Sequence, residues 1–299
     1  MAALSDGSLV VAGGIRGSID LGGTCGIFVA VTGNPIQNNP DVDGFFAVFD
    51  ASGSCVRKQL LDGAAGDASV LAVAADGADH IYVLGDYVES IDVGYGNIVD
   101  TGQSTTGSSR YYVVKYAQDE VYGYRQGPDF VVPIKNGLAV SEDSKVGVVG
   151  NLVSGSGVSF NDSDRSVTLP NVSPPLAYAA YYDSGLGDLL WVGLSGTAQG
   201  GAKAQGVYFD GVGMVPMWET FGGLSMQSDP ESMPTFDIPV RPWLDSCVEV
   251  APGLDGNFTL KSVCQLVSSS ADAMLARCES SNSHVDSALR HAVASVKSM

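Results

Sequence analysis

The chain has 299 residues, and 15 Lys+Arg against 33 Asp+Glu leave a net charge of −18. That balance excludes a general nucleic-acid binder, whose phosphate contacts need Lys and Arg. No uncharged apolar run reaches the roughly 18 residues of a membrane-spanning helix. Hydrophobic residues make up 45%, enough for a large core, and the 38 Gly follow no three-residue period, which excludes collagen. What remains is a globular chain rich in turns. The acid is unevenly spread: residues 1–240 carry −17 and residues 241–299 only −1, which sets the last stretch apart.

In chain order, the sequence repeats itself. Ser8–Gly22 (SLVVAGGIRGSIDLG), His80–Gly94 (HIYVLGDYVESIDVG) and Lys145–Phe160 (KVGVVGNLVSGSGVSF) share one plan. Each is a β-branched run ending in Gly (Gly13, Gly85, Gly150), then a polar turn, then a short second run. A second block follows each of them: DGFFAVFDASG from Asp43, RYYVVKYAQDE from Arg110 and LAYAAYYDSGLG from Leu176. Phe45, Tyr112 and Tyr178 hold equivalent places in it, 67 and 66 residues apart. A weaker element precedes the first block: Ala68–Gly77, matched from Asn136 and by the Met1–Gly7 tail. Ala202–Gly223 reads as a degraded fourth copy. Each unit therefore predicts about four short strands, punctuated by Gly and Asp turns. Such a unit cannot cover both its faces alone, so neighbouring units must cover them.

These blocks resemble the bacterial-type β-propeller repeat family. A blade of that family reads roughly Asp-x-x-Gly-x-x-Tyr-x-x-Gly, then a Val-Asp-Phe-Gly turn, then an Asp-x-Phe-x-x-Lys block. Tyr82, Gly85, Asp92, Gly94 and Lys115 fall on this pattern in the second unit, and Gly13, Asp20, Gly22, Asp43 and Phe45 in the first. In the third, Asn161 and Tyr181 replace the Gly and Lys. The resemblance covers residues 1–223. It implies an all-β propeller of four-stranded blades and a secreted or cell-surface setting, and it carries over no catalytic residue. The repeats number about four. A closed four-bladed ring, a piece of a longer protein and an open array completed by other subunits all satisfy that count.

Residues 224–245, rich in Pro and Ser, read as a linker or irregular loop. Residues 246–299 read as a Cys-containing, partly helical tail. Val285, Leu289, Ala292, Val293 and Val296 recur at helical spacing, and Ala271–Arg277 predicts a second helix. The five cysteines, Cys25, Cys55, Cys247, Cys264 and Cys278, are disulfide candidates. Their odd number leaves one free or paired between chains. No CxxC or His/Cys cluster points to zinc. The N-terminus lacks a basic region, and Asp6 and Gly7 break its apolar run, so it does not read as a signal peptide.

Few residues carry chemistry. Asn39, Asp41 and Asp43 with Gly44, and Asp50 at the twelfth place, resemble a calcium loop, although Pro40 and the terminal Asp depart from it. No other cofactor is expected. Asn161, Asn171 and Asn257 open glycosylation sequons. His80 reads as a surface turn residue, and His284 and His291 share a helical face without a third ligand. In Phe45-Phe46, Tyr111-Tyr112 and Tyr181-Tyr182, one ring of each pair belongs to the core, and the other packs between neighbouring blades or lines a groove between blades or a sugar-binding platform. There is no G-x-S-x-G elbow, no P-loop and no dinucleotide fingerprint after a strand. The expected function is a non-enzymatic extracellular or cell-surface structural or adhesive module. Its partners are proteins, copies of itself or carbohydrate. A subunit of a homo-oligomeric surface assembly comes second, and a propeller enzyme on glycans or esters third.

Overall fold

A computed structural model gives the fold. It describes residues 1–30, 42–63, 67–88, 90–100, 110–118, 120–128, 130–153, 158–161, 166–168, 176–195, 201–209, 214–221, 224–228, 236–238, 245–252, 258–268 and 274–279, with backbone alone from 224 onward. The first repeat forms β1 (Ala2–Ala3), β2 (Leu9–Ile15), a ribbon of β3 (Ser18–Asp20) and β4 (Ile27–Val29), then β5 (Asp43–Phe49) and β6 (Cys55–Leu61). The second forms β7 (Ala68–Ala75), β8 (Ile81–Tyr87), the ribbon β9 (Ser90–Asp92) and β10 (Ile98–Asp100), β11 (Arg110–Ala117) and β12 (Glu120–Gln126). The third forms β13 (Val131–Val140), β14 (Val146–Leu152), the ribbon β15 (Ser159–Asn161) and β16 (Ser166–Thr168), β17 (Leu176–Tyr182) and β18 (Leu189–Ser195).

With the ribbons set aside, each repeat is a four-stranded antiparallel sheet in chain order: β1-β2-β5-β6, β7-β8-β11-β12 and β13-β14-β17-β18. The short second run of each sequence block is thus a ribbon standing between the two central strands. The sheets stack face to face. Val10, Phe46 and Val48 of the first meet Val83, Tyr112 and Val114 of the second. Tyr82, Leu84 and Tyr111 meet Val148, Tyr178 and Ala180 of the third.

Stacking explains the sequence texture. A strand covered on both faces reads as a continuous apolar run. The central β8, β11, β14 and β17 are buried along nearly their whole length, whereas the outer β12 alternates between exposed and half-buried residues. The aromatic pairs therefore lie between packed layers, as the reading of packing between neighbouring blades expects. Phe45 and Phe46 are both buried, as are Tyr111 and Tyr112, because each strand faces a packed layer on either side. A fully buried aromatic contributes roughly 2–3 kcal/mol.

The repeated Gly and aromatic are cross-strand partners: Gly13 with Phe45, Gly85 with Tyr112 and Gly150 with Tyr178. At Gly85 a methyl would overlap the Ser69 carbonyl and the Tyr112 ring. The Tyr112 hydroxyl donates to that same carbonyl at 2.8 Å. In the second sheet this one contact requires both residues.

Further along come β19 (Gly201–Phe209), β20 (Met214–Phe221), β21 (Leu224–Ser228), β22 (Phe236–Ile238), β23 (Asp245–Pro252), β24 (Phe258–Ser268) and β25 (Met274–Glu279). β19 and β20 pair as the hairpin expected of a fourth copy, and Ala202, Ala204 and Trp218 pack on Val149, Ala177 and Trp191 of the third sheet. β19, β20, β23 and β24 each begin 68–70 residues after their counterparts in the third repeat. The four-strand spacing therefore runs past residue 223, and the stretch read as a linker, 224–245, contains β21 and β22. These two pair with each other, and β21 also pairs with β18.

The helix expected over 271–277 is corrected. Met274–Glu279 is a strand paired with β24. A run this short is marginal as an isolated helix but gains a full hydrogen-bond ladder on an open sheet edge. The helical reading of 285–296 lies outside the described residues, as do His284 and His291. Among the described residues, no helix is long and apolar enough to cross a membrane.

Candidate functional site

One backbone turn recurs between the first two strands of each sheet. The residue at its start receives a bond from the N–H three residues on, and its own N–H donates to the carbonyl four residues on. This holds for Leu4 with Gly7 and Ser8, Asp76 with Asp79 and His80, and Ser141 with Ser144 and Lys145. The position is equivalent in all three sheets, but only in the second does it carry a carboxylate.

That carboxylate, with a fully buried side chain, is the hub of a polar cluster. Asp76 Oδ1 accepts the backbone N–H of Ala78 at 2.9 Å and of His80 at 3.0 Å. Its Oδ2 accepts His80 Nδ1 at 2.8 Å, the Tyr82 hydroxyl at 3.0 Å and the Ser144 hydroxyl at 2.7 Å. Ser144 belongs to the turn of the third sheet, so the bond crosses between sheets. Burial pushes the Asp76 pKa up, but the donors around it outweigh that and hold it well below the usual carboxylate range.

Lys115 is 4% exposed and lies 3.9 Å from Asp76, with its ammonium over the rings of Tyr82 and Tyr122. It donates to the Ser184 carbonyl of the third sheet at 3.1 Å. Burial lowers its pKa, and the charges of Asp76 and Asp183 partly restore it. The Tyr82 hydroxyl is shifted up by burial and by the Asp76 charge.

A groove of 560 Å³ opens beside this hub, between the turns of the first and second sheets. His80, Asp79, Asp6, Glu120, Arg57 and Tyr122 line it. The volume suits a small ligand or a few residues of a partner. His80 is not a free surface turn residue: its side chain is 28% exposed and stacks on Tyr122 at 6.0 Å. Because a carboxylate only accepts, His80 Nδ1 carries the proton toward Asp76. With three carboxylates on the rim, the groove favours ligands rich in donors, such as hydroxyls or amines. Asp79 also ties the first sheet to the second, accepting the Ser5 N–H at 2.7 Å and the Ser5 hydroxyl at 2.5 Å.

Of the residues read as a calcium loop, the described residues include Asp43 and Asp50. Asp43 opens β5 and Asp50 follows its far end, so seven residues of extended chain place them roughly 23 Å apart. Asp43 is buried against the Gly63 N–H, and Asp50 caps its own turn by accepting the N–H groups of Ser52 and Ser54. Asn39 and Asp41 lie outside the described residues. Among the described residues, no group of three or more His, Cys, Asp or Glu is placed to hold a metal ion.

Of the cysteines, Cys25 and Cys55 form a disulfide. In the tail, the strand register sets Cys247 opposite Cys264, and Cys264 opposite Cys278. Asn161 ends β15, while Asn171 and Asn257 lie outside the described residues. Reading the sequence missed Asp76. The only available signal was a turn Asp four residues before a His, and its decisive partner, Ser144, lies 68 residues away. The chain matches no known family model and no curated protein.

Proposed function

We propose that this chain is a non-enzymatic interaction module of the extracellular space or cell surface, a β-propeller-like stack of blades with a structural or adhesive role. The observation that carries the reading is how its ionisable groups are used. Asp76 and Lys115 bind the turns of the neighbouring sheet, Ser144 and Ser184, and Asp79 binds Ser5. Ionisable groups that join one sheet to the next make a rigid scaffold. The Cys25–Cys55 disulfide supports an oxidising compartment. The groove beside His80 is the seat for a protein segment or a carbohydrate.

Beads coated with the oxidised protein test this. They are expected to adhere to beads bearing the same protein or to polysaccharide-coated surfaces, with no turnover of chromogenic esters or glycosides. Hydrolysis that disappears in His80→Gln would overturn the reading. A second reading, a subunit of a homo-oligomeric assembly, is favoured by exposed apolar residues on the first sheet, Leu9, and on its ribbon, Ile27 and Val29.

A further inference from the structure

β23, β24 and β25 form a three-stranded sheet with β24 at its centre. The register puts Cys247 of β23 directly opposite Cys264 of β24, and Cys264 directly opposite Cys278 of β25. Three of the chain's five cysteines thus stand at one level across neighbouring strands. The register shift in the β23–β24 pair falls between Glu249 and Val250, away from the cysteine level. Directly opposite residues share a face of an antiparallel pair, so all three are on one face of the sheet.

Spacing decides which of them can join. A residue on a central antiparallel strand makes a hydrogen-bonded pair with one neighbour, with Cα atoms about 5.5 Å apart. It makes a non-hydrogen-bonded pair with the other, at about 4.5 Å. A disulfide spans Cα separations of about 4.4–6.8 Å, so both neighbours of Cys264 are in range. Cys247 and Cys278 are two strand spacings apart, about 9.6 Å, which no disulfide spans. The two bonds that remain share Cys264. Cys264 follows Cys247 by 17 residues and precedes Cys278 by 14. Loops so alike in length restrict the unfolded chain almost equally, so loop closure favours neither bond by more than about twofold. Cys25 and Cys55 are joined to each other and do not compete for Cys264.

We propose that Cys247, Cys264 and Cys278 form a thiol–disulfide exchange site, in which Cys264 is always bonded and the free thiol moves between Cys247 and Cys278. A low-molecular-weight disulfide makes the first bond. It takes up two electrons and leaves as two thiols, while two cysteine thiols lose their protons and join. The exchange itself needs no oxidant. The Cys278 thiolate attacks Cys264 Sγ in the Cys247–Cys264 bond, and the Cys264–Cys278 bond forms. Cys247 departs as a thiolate with the bonding pair and takes up the proton that Cys278 gave up. Such attack runs in line with the breaking bond, and the register puts Cys264 between its two partners. The exchange site is independent of the interaction-module reading, which stands or falls by the bead assay.

Non-reducing peptide mapping of the full chain tests it. Trypsin cuts after Lys261 and Arg277, so the three cysteines fall on separate peptides. One sample of reduced protein is oxidised with oxidised glutathione and another with diamide. Both are freed of oxidant, held at about pH 8.5, near the thiol pKa, then quenched in acid and alkylated with N-ethylmaleimide. Both are expected to contain Cys247–Cys264 and Cys264–Cys278 links, in one shared ratio within about fivefold of unity, with the label on the cysteine left out. Cys264→Ser is expected to leave Cys247 and Cys278 labelled and unlinked, and Cys278→Ser to hold Cys247–Cys264 alone. The wild-type map decides even where a variant fails to fold. A Cys247–Cys278 link, label on Cys264 of the fully oxidised chain, a single pairing in both samples, or a ratio that keeps differing with the oxidant overturns the exchange site.

Discussion

Gly13 and Gly85 hold the same place in the first and second sheets, each opposite an aromatic, yet only one of them lacks room for a side chain. A methyl on Gly13 would meet the Phe45 ring at 3.6 Å, an ordinary contact. A methyl on Gly85 would overlap a backbone carbonyl and the Tyr112 ring. The second sheet is squeezed between two neighbours, and the first is covered on its outer side by its own ribbon, through Phe28, Ala30, Phe45 and Ile15. Position in the stack, more than the repeat sequence, sets how much each residue carries.

The largest effect follows directly. Gly85→Ala is expected to cost about 4 kcal/mol, since a backbone carbonyl cannot yield as a side chain can. Gly13→Ala is expected to stay within about 0.5–1 kcal/mol. Urea unfolding of the two variants checks the contrast, and equal costs would break it.

Next is the turn position shared by Leu4, Asp76 and Ser141. Asp76→Ala strands Tyr82, Ser144, His80 and two backbone donors, and is expected to cost about 3 kcal/mol. Ser141→Ala loses the Lys145 N–H, held at 2.8 Å, and is expected to cost about 1 kcal/mol. The two differ in pH dependence. The Asp76 pKa is lower in the folded than in the unfolded chain, so its contribution is complete above about pH 4 and drains away as pH falls through the lowered value. The stability gap between wild type and Asp76→Ala should close in acid, and the Ser141→Ala gap should not.

The disulfide distinguishes the first sheet in another way. Cys25 and Cys55 are 30 residues apart and pin the loop after β3 to the start of β6. Ala47 packs against both. Reduction is expected to cost about 2–3 kcal/mol. In a stack where each sheet contacts mainly its neighbours, that loss should stay local. Hydrogen exchange should quicken in β2, β5 and β6 and remain slow in β14 and β17.

Much of this architecture was legible in the sequence because it rests on local patterning. The runs at Leu9, Ile81 and Val146 gave the second strand of each sheet. The fixed spacing of Phe45, Tyr112 and Tyr178 gave the third. The degraded copy at Ala202–Gly223 gave the β19–β20 hairpin. What escaped depends on contacts between sheets. The hub at Asp76 needs Ser144 from the next repeat. His80 looked like a surface residue because its carboxylate partner is buried by tertiary packing. Asp43 and Asp50, read together in one loop pattern, stand at opposite ends of one strand, which spacing alone does not show. The tail was misread at Met274–Glu279, where pairing with β24 outweighs the helical spacing of a few apolar residues.

The smallest effect tests whether sheet-to-sheet bonds matter by burial or merely by presence. Ser5 and Ser144 both donate a hydroxyl to an Asp of the second sheet, Asp79 and Asp76. Water reaches the first bond, while the second ends on a fully buried carboxylate. Water can replace a lost partner at Asp79 but not at Asp76. Ser5→Ala is therefore expected to cost about 0.5 kcal/mol, and Ser144→Ala about 1.5 kcal/mol. Denaturant titrations of the two variants resolve a difference of this size. A Ser5→Ala cost equal to that of Ser144→Ala would mean that the first sheet is held to the second as firmly as the second is to the third, and the distinction between an outer and an inner sheet would lose its energetic basis.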